Sequence, residues 1–319
     1  MRALFFGTPE IAVGALEALH EIATVVGVVC QPDKPSGRGL EVKPVPVKAR
    51  ALELGLPVTQ PTKVKTPDFA AWVRAQEADV ALVMAYGRIL PKGVLDAPRR
   101  GCMNLHASLL PKYRGAAPIT WAIVDGEGTT GVALMQMDEG MDTGDVYAMR
   151  EVPSGPDTTA AELAVALSAC ARVVVKEDLP RAVAGELVAR AQDHARATHA
   201  RMLVKDDGRV DWSKPAARVH DHVRGMTPWP GAFSTLNGKR ILILSTRRVD
   251  GSSLASGAGG PAGGEPGQVV VAEKDRVEIA CGEGRIAILR AQLEGKKALD
   301  ARDLVAGRTL SVGARLGAP

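Results

Sequence analysis

Short apolar runs and stretches of helical spacing alternate through the first half of the chain. Arg2–Phe6 is an apolar run halted by Gly7-Thr8-Pro9, and Pro9 suits a helix start. Ile11, Val13, Ala15, Leu16 and Leu19 then fall at helical spacing within Glu10–His20, and Thr24–Cys30 is apolar again. The pattern continues with a helix over Val47–Leu54, an edge strand from Val58, a helix over Asp68–Gln76 and a strand over Asp79–Met84. That last run is nearly all apolar, as a strand buried on both faces requires. A short strand around Cys102–His106, a helix over Ala117–Asp125, strands over Gly131–Met137 and Asp145–Val152, and one long helix over Thr158–Ala184 complete it. Strands alternating with helices predict an α/β fold with a doubly wound, mostly parallel, Rossmann-like sheet. Gly7-Thr8-Pro9 is not G-x-G-x-x-G, which counts against a dinucleotide enzyme.

The second half has another rhythm. Leu187–Leu203 is polar and lacks an apolar stripe, so it reads as a linker. Lys205–Trp212 has the composition of a hairpin start, and Ala216–Met226 that of a helix. Arg240–Thr246, Gln268–Ala272, Arg276–Ala280 and Arg285–Leu289 are short β-rich runs at hairpin spacing, which predict a small β-barrel. Asp250–Gly267, nearly all Gly, Ala, Ser and Pro, reads as a flexible excursion between strands. The expected layout is a first domain over 1–186, a linker over 187–204 and a second domain over 205–319.

Charge sharpens this division. Residues 1–185 carry 19 Lys and Arg against 21 Asp and Glu, whereas residues 186–319 carry 21 against 15. A basic second half suits a polyanionic partner, and equally a solvated surface. The four cysteines are scattered with no C-x-x-C, which points away from zinc and disulfides and towards a reducing compartment. His194 and His199, and likewise His220 and His222, have spacings that do not suit metal ligation. No run approaches a membrane span or a signal peptide, so the expectation is a cytoplasmic protein. With no exposed apolar stripe evident, a monomer is expected.

Chemistry concentrates in Gly101-Cys102-Met103-Asn104-Leu105-His106-Ala107-Ser108-Leu109-Leu110-Pro111-Lys112-Tyr113-Arg114-Gly115. Alternation along a strand puts Asn104 and His106 on one face, aiming an amide and an imidazole into the same space. Both donate hydrogen bonds, as stabilising an oxyanion requires. Downstream, Met137-Asp138-Glu139-Gly140-Met141-Asp142-Thr143-Gly144-Asp145 is a glycine-bracketed acidic loop whose carboxylate could orient the imidazole and move a proton. Piece by piece, a histidine beside a strand is more often structural, and an Asp-Gly loop more often a turn.

Taken together, Asn-x-His-x-Ser-Leu-Leu-Pro, then Tyr-Arg-Gly, then Met-Asp-x-Gly-x-Asp-Thr-Gly closely resembles the folate-dependent formyltransferases. The resemblance implies a catalytic trio of Asn104, His106 and Asp142, an OB-like second domain, and 10-formyltetrahydrofolate as co-substrate with no metal. It implies that Tyr86, Ile89 and Leu90 line the pterin pocket through main-chain groups, and that Ser108, Leu109, Leu110 and Pro111 shape the folate site. Gln31–Pro46 holds four prolines and is expected to be a long exposed loop without regular structure. Its Gln-Pro-Asp-x-Pro-x-Gly-Arg-Gly resembles the insertion of the family branch that formylates methionyl-tRNA. On that resemblance Arg38 enters the acceptor stem, Lys296 and Lys297 contact the tRNA backbone, and the partner is initiator methionyl-tRNA. A formyltransferase for a small substrate, a hydrolase releasing formate and a non-catalytic RNA-binding protein are the rivals.

Overall fold

The computed structural model describes residues 1–36, 41–249 and 263–317. Arg38 and residues 250–262 of the glycine-rich excursion lie outside the described residues.

One compact unit comprises residues 1–118, 129–153 and 164–201. Its strands in chain order are β1 (Arg2–Gly7), β2 (Thr24–Val29), β3 (Lys34–Ser36), β4 (Glu41–Lys43), β5 (Val58–Thr59), β6 (Val80–Met84), β7 (Cys102–His106), β8 (Arg114–Gly115), β9 (Thr129–Gln136), β10 (Val146–Pro153) and β11 (His199–Ala200). Seven of them form a sheet ordered β10-β9-β7-β6-β1-β2-β5. It is parallel from β7 to β5, while β9 and β10 extend it as an antiparallel edge. β1 and β6 sit at its centre and are buried almost throughout, which is why they read as continuous apolar runs. The chain winds from β1 through β2 to β5, then crosses back to β6, so the order reverses between β1 and β6. Open α/β sheets bind ligands at the carboxyl ends of strands beside such a reversal. Beneath it Phe6, Phe69, Tyr86 and Leu90 join one core cluster, with Phe6 edge-on to Tyr86 at 5.4 Å.

Three expectations change in this unit. The loop expected to be irregular over Gln31–Pro46 has a two-stranded ribbon in it: β3 pairs antiparallel with β4, Lys34 opposite Lys43 and Pro35 opposite Val42. A two-stranded ribbon is all edge, so proline's missing N–H is tolerated there. The single helix expected over Thr158–Ala184 is a helix over Ala160–Val173, a π-turn over Val174–Asp178 and a helix over Leu179–Ala184. At the turn the buried Asp178 takes the Arg150 guanidinium at 2.6 and 3.1 Å.

The third concerns the linker expected over 187–204. Up to Arg201 it belongs to the first unit. Arg190 and Val146 exchange both main-chain hydrogen bonds at 2.9 Å, and β11 runs parallel to β8. Main-chain pairing and inward polar side chains hold this strap, neither of which leaves an apolar stripe in the sequence.

A second unit comprises residues 119–128, 154–163 and 202–319. Its strands are β12 (Phe233–Leu236), β13 (Lys239–Arg248), β14 (Val269–Glu273), β15 (Arg276–Ala280), β16 (Arg285–Leu293) and β17 (Leu299–Asp300). They form an antiparallel sheet ordered β12-β13-β16-β15-β14, with β17 added to β16. Register shifts at Ile243/Ser245 and Ser245/Thr246 bend the long β13–β16 pair, as bulges do. The chain's last described residues then join the two edges. Ala314 O accepts from Val269 N at 2.8 Å beside β14, and Gly317 N donates to Thr235 O at 2.8 Å on β12. The expected barrel is therefore closed by its own tail.

The hairpin start expected over Lys205–Trp212 is instead a 3-10 turn over Lys205–Gly208, because the Asp207 carboxylate accepts the Val204 N–H at 2.7 Å. The helix Ala216–Gly225 packs Gly225 against Val124, where a Cβ would stand 2.7 Å from the Val124 side chain. Arg224 donates to Thr158 O at 2.9 Å, so 119–128 and 154–163 are built into this unit. Among the described residues no helix is long and apolar enough to cross a membrane. The four cysteines are free, and burial pushes the thiols of Cys30, Cys102 and Cys281 up to about 12, keeping them protonated.

Candidate active site

β7 lies between β6 and β9, with Asn104 in register with Val83 on one side and Met135 on the other. His106 stands opposite Ala133. Side chains alternate along the strand, so Asn104 and His106 share a face with the buried Cys102, while the buried Met103 and Leu105 point to the other. His106 is 5% exposed, and its Nε2 lies 2.9 Å from Tyr113 O. A carbonyl only accepts, so Nε2 carries a proton. Nδ1 faces Asp142 Oδ2 at 3.6 Å, beyond a hydrogen bond but at ion-pair distance when the ring is charged.

Tyr113 turns its carbonyl to the imidazole by adopting a left-handed conformation with φ 59°. Its N–H donates to Thr198 Oγ1 at 2.8 Å, and Arg114 N donates to Thr198 O at 2.9 Å. Asp142 is left-handed as well, at φ 56°, a region that aspartate enters more readily than most residues. Its Oδ2 accepts the Gly115 N–H at 2.8 Å. The rest of the acidic loop folds on itself: Asp138 accepts from Gly140 N at 3.0 Å and from Thr143 Oγ1 at 2.8 Å. Gly144 closes its base, where a Cβ would stand 2.0 Å from Gln136 O.

The structure thus brings Asp142, from the loop between β9 and β10, to His106 on the strand that also carries Asn104. The residues expected around the folate divide. Tyr86 has its ring in the core, its hydroxyl buried with no partner among the described residues, and burial pushes the phenol up to about 12. What it offers a ligand is main chain, and its carbonyl already accepts from Gln31 Nε2 at 2.8 Å and Thr8 Oγ1 at 3.3 Å. Leu90 is buried in the same core, and Leu110 packs with Ala133, Met135 and Val146. Ser108 is fully buried and spends its hydroxyl on Lys112 O at 2.6 Å, so it shapes the loop without facing a ligand. Leu109 packs against Gly131, and Pro111 O accepts from Thr198 N at 3.4 Å. Ile89 is 60% exposed. With Lys63, Val64, Lys65 and Arg88 it lines an open depression of about 410 Å³.

Of the expected tRNA contacts, Arg38 lies outside the described residues, but its ribbon is anchored. Asp33 pairs with Lys48 and accepts from Val45 N at 3.1 Å and Gln60 Nε2 at 2.9 Å. The Lys48 hydrogen bond holds the Asp33 carboxyl below its usual range. Lys296 and Lys297 are exposed on the turn between β16 and β17, where Gly295 at φ 72° is followed by Lys296 N donating to Leu293 O at 2.9 Å. Sequence reasoning missed Gln31, Thr198 and the cations of the depression. A glutamine or a threonine in a polar stretch has no periodic signature, and only the topology reveals what it touches.

Known proteins resemble this chain over nearly its whole length. Residues 1–176 match the family described as formyl transferase, and residues 202–309 match the formyl transferase C-terminal domain. A protein of Sorangium cellulosum named methionyl-tRNA formyltransferase is 65% identical over 317 residues, covering 99% of this chain and 100% of that one. One of the same name from Myxococcus xanthus is 48% identical over 314 residues, covering 98% of this chain and 97% of its own. A solved N-formyltransferase of Helicobacter canadensis, in complex with folinic acid and dTDP-3-aminofucose, superposes with a TM-score of 0.64. It covers 90% of this chain and 98% of its own, and at 15% identity it speaks for the fold.

Proposed function

The chain belongs to the formyl transferase family, and we propose that it transfers a formyl group from 10-formyltetrahydrofolate to the α-amino group of methionyl initiator tRNA. The observation that carries the reading is the meeting, at 3.6 Å, of Asp142 Oδ2 with Nδ1 of His106, whose strand also presents Asn104. The choice of methionyl-tRNA is supported by the full-length similarity to proteins of that name.

The folate donor supplies an activated formyl group. The chain's residues supply orientation, charge and proton movement. Asn104 donates from its amide to the formyl oxygen as negative charge gathers there. His106, its Nε2 proton committed to Tyr113 O, has Nδ1 left to act beside Asp142. Asp142 relays the proton that the attacking amine loses, directly or through a water, to N10 of the folate as the bond from N10 to the formyl carbon breaks. The donor is assigned to the crevice at the carboxyl ends of β1 and β6, where open α/β sheets bind their ligands. Ile89 presents apolar surface there, and the neighbouring Lys63, Lys65 and Arg88 suit its carboxylates. Arg38, Lys296 and Lys297 contact the tRNA. The reaction serves translation initiation in the cytoplasm and needs a single copy of the chain, with no metal.

The test offers 10-formyltetrahydrofolate with initiator or elongator methionyl-tRNA and counts formylated product. Formylation of the initiator is expected, with His106→Ala lowering turnover about 100- to 10,000-fold while initiator tRNA still binds. Unchanged turnover in that variant would rule out the trio, and formate release without tRNA would favour a hydrolase.

A further inference from the structure

Three segments far apart in the chain meet at Gln192. Gln192 is 8% exposed, and both polar atoms of its carboxamide are engaged. Nε2 donates to the main-chain oxygens of Asp142 at 3.0 Å and Gly144 at 2.7 Å. Oε1 accepts from Arg114, at 3.1 Å from Nε and 2.7 Å from Nη2. The first two bonds grip the backbone of the left-handed residue whose side chain approaches His106. Arg114 is itself 4% exposed and sits between two working neighbours. Tyr113 before it holds His106 Nε2, and Gly115 after it holds Asp142 Oδ2. The Arg114–Gln192 pair therefore joins the loop that orients the imidazole to the loop that carries the carboxylate. Among side chains of this size, an amide donates and accepts at the same time without bringing charge. A glutamate there would still receive Arg114 but would set an oxygen against two carbonyl oxygens.

We infer that Gln192 is a positioning residue for formyl transfer: locked by Arg114, it fixes the Asp142 backbone so that the carboxylate stands against His106. This rests on the reading of Asp142 as proton relay. Displacing a reacting group by about 1 Å costs on the order of 100-fold in rate. A mispositioned relay slows the chemical step and leaves binding of the two substrates alone, which distinguishes positioning from a general loosening of the fold.

The experiment compares the parent, Gln192→Glu, Gln192→Met, Asp142→Asn and each Gln192 change combined with Asp142→Asn. For each, kcat, KM for both substrates and the urea midpoint are measured. Gln192→Glu keeps a partner for Arg114 and is expected to fold; Gln192→Met keeps the volume and serves as the second variant. The expected result is a kcat about 10- to 100-fold lower with both KM values within about twofold. In the Asp142→Asn background the same change should alter kcat by less than about threefold, because the group it positions is already gone. Undiminished kcat in the Gln192 variants, or the same fold-loss in both backgrounds, would overturn the positioning role while Asp142→Asn remains impaired. Full turnover by Asp142→Asn alone would overturn the relay reading first, and the positioning role with it.

Discussion

His222 shows how a residue outside the site sets a property of the whole protein. It lies on the helix Ala216–Gly225, with Nε2 buried and unpartnered among the described residues. Burial lowers its pKa below the ordinary 6.5, against the smaller opposing effects of the Gly208 main chain and the Asp207 and Asp211 carboxylates. As pH falls through 6.5 the unfolded chain therefore takes up the proton before the folded one does. Stability is complete above that value and is lost below it, with a slope of at most about 1.4 kcal/mol per pH unit for one proton. Urea midpoints at pH 7.5 and 5.5 should differ in the parent, and the gap should narrow in His222→Gln. An equal gap in both would put the acid sensitivity elsewhere. At this scale the approach of Asp142 to His106 was legible in the chain, because both are polar residues in patterned, glycine-punctuated stretches. Gln192 and Thr198 were not, since their importance is the partner they meet, 50 residues away from Asp142 in one case.

Among the elements, the acidic loop depends on the strands that flank it. Gln136 N donates to Asp145 O at 2.8 Å, and Gly144 lies so close to Gln136 O that a methyl would collide at 2.0 Å. Gly144→Ala should lift the loop from β9, with a loss of about 1–3 kcal/mol in stability and about 10- to 100-fold in kcat. Denaturant titration and initial rates check the two effects. A variant with parental kcat would mean that the loop's seat is dispensable. Strands and most helices were legible because burial imposes a period on them. The strap over 187–201 and the π-turn over Val174–Asp178 were not, because hydrogen bonding and the pairing of Arg150 with the buried Asp178 hold them.

Over the whole molecule, the tail of the chain finishes the second unit. Leu316 is 1% exposed, its N–H donates to Gly267 O at 2.8 Å, and it bridges to Leu236. Leu316→Ala should cost about 2–5 kcal/mol by leaving a cavity at the seam, read as a lowered urea midpoint. A shift below about 1 kcal/mol would mean that the barrel holds without its seam. The two units interleave along the chain: residues 119–128 and 154–163 sit in the second unit although they precede the strap in sequence. This interleaving limits how the protein can be recombined with its relatives. A chimera spliced once at 186 would graft a foreign strap onto the loops of Asp142 and Tyr113. One spliced at 201 would keep the strap but seat a foreign barrel on native Val124 and Thr158. Exchange without mismatch takes several crossovers, one at each boundary between the interleaved segments.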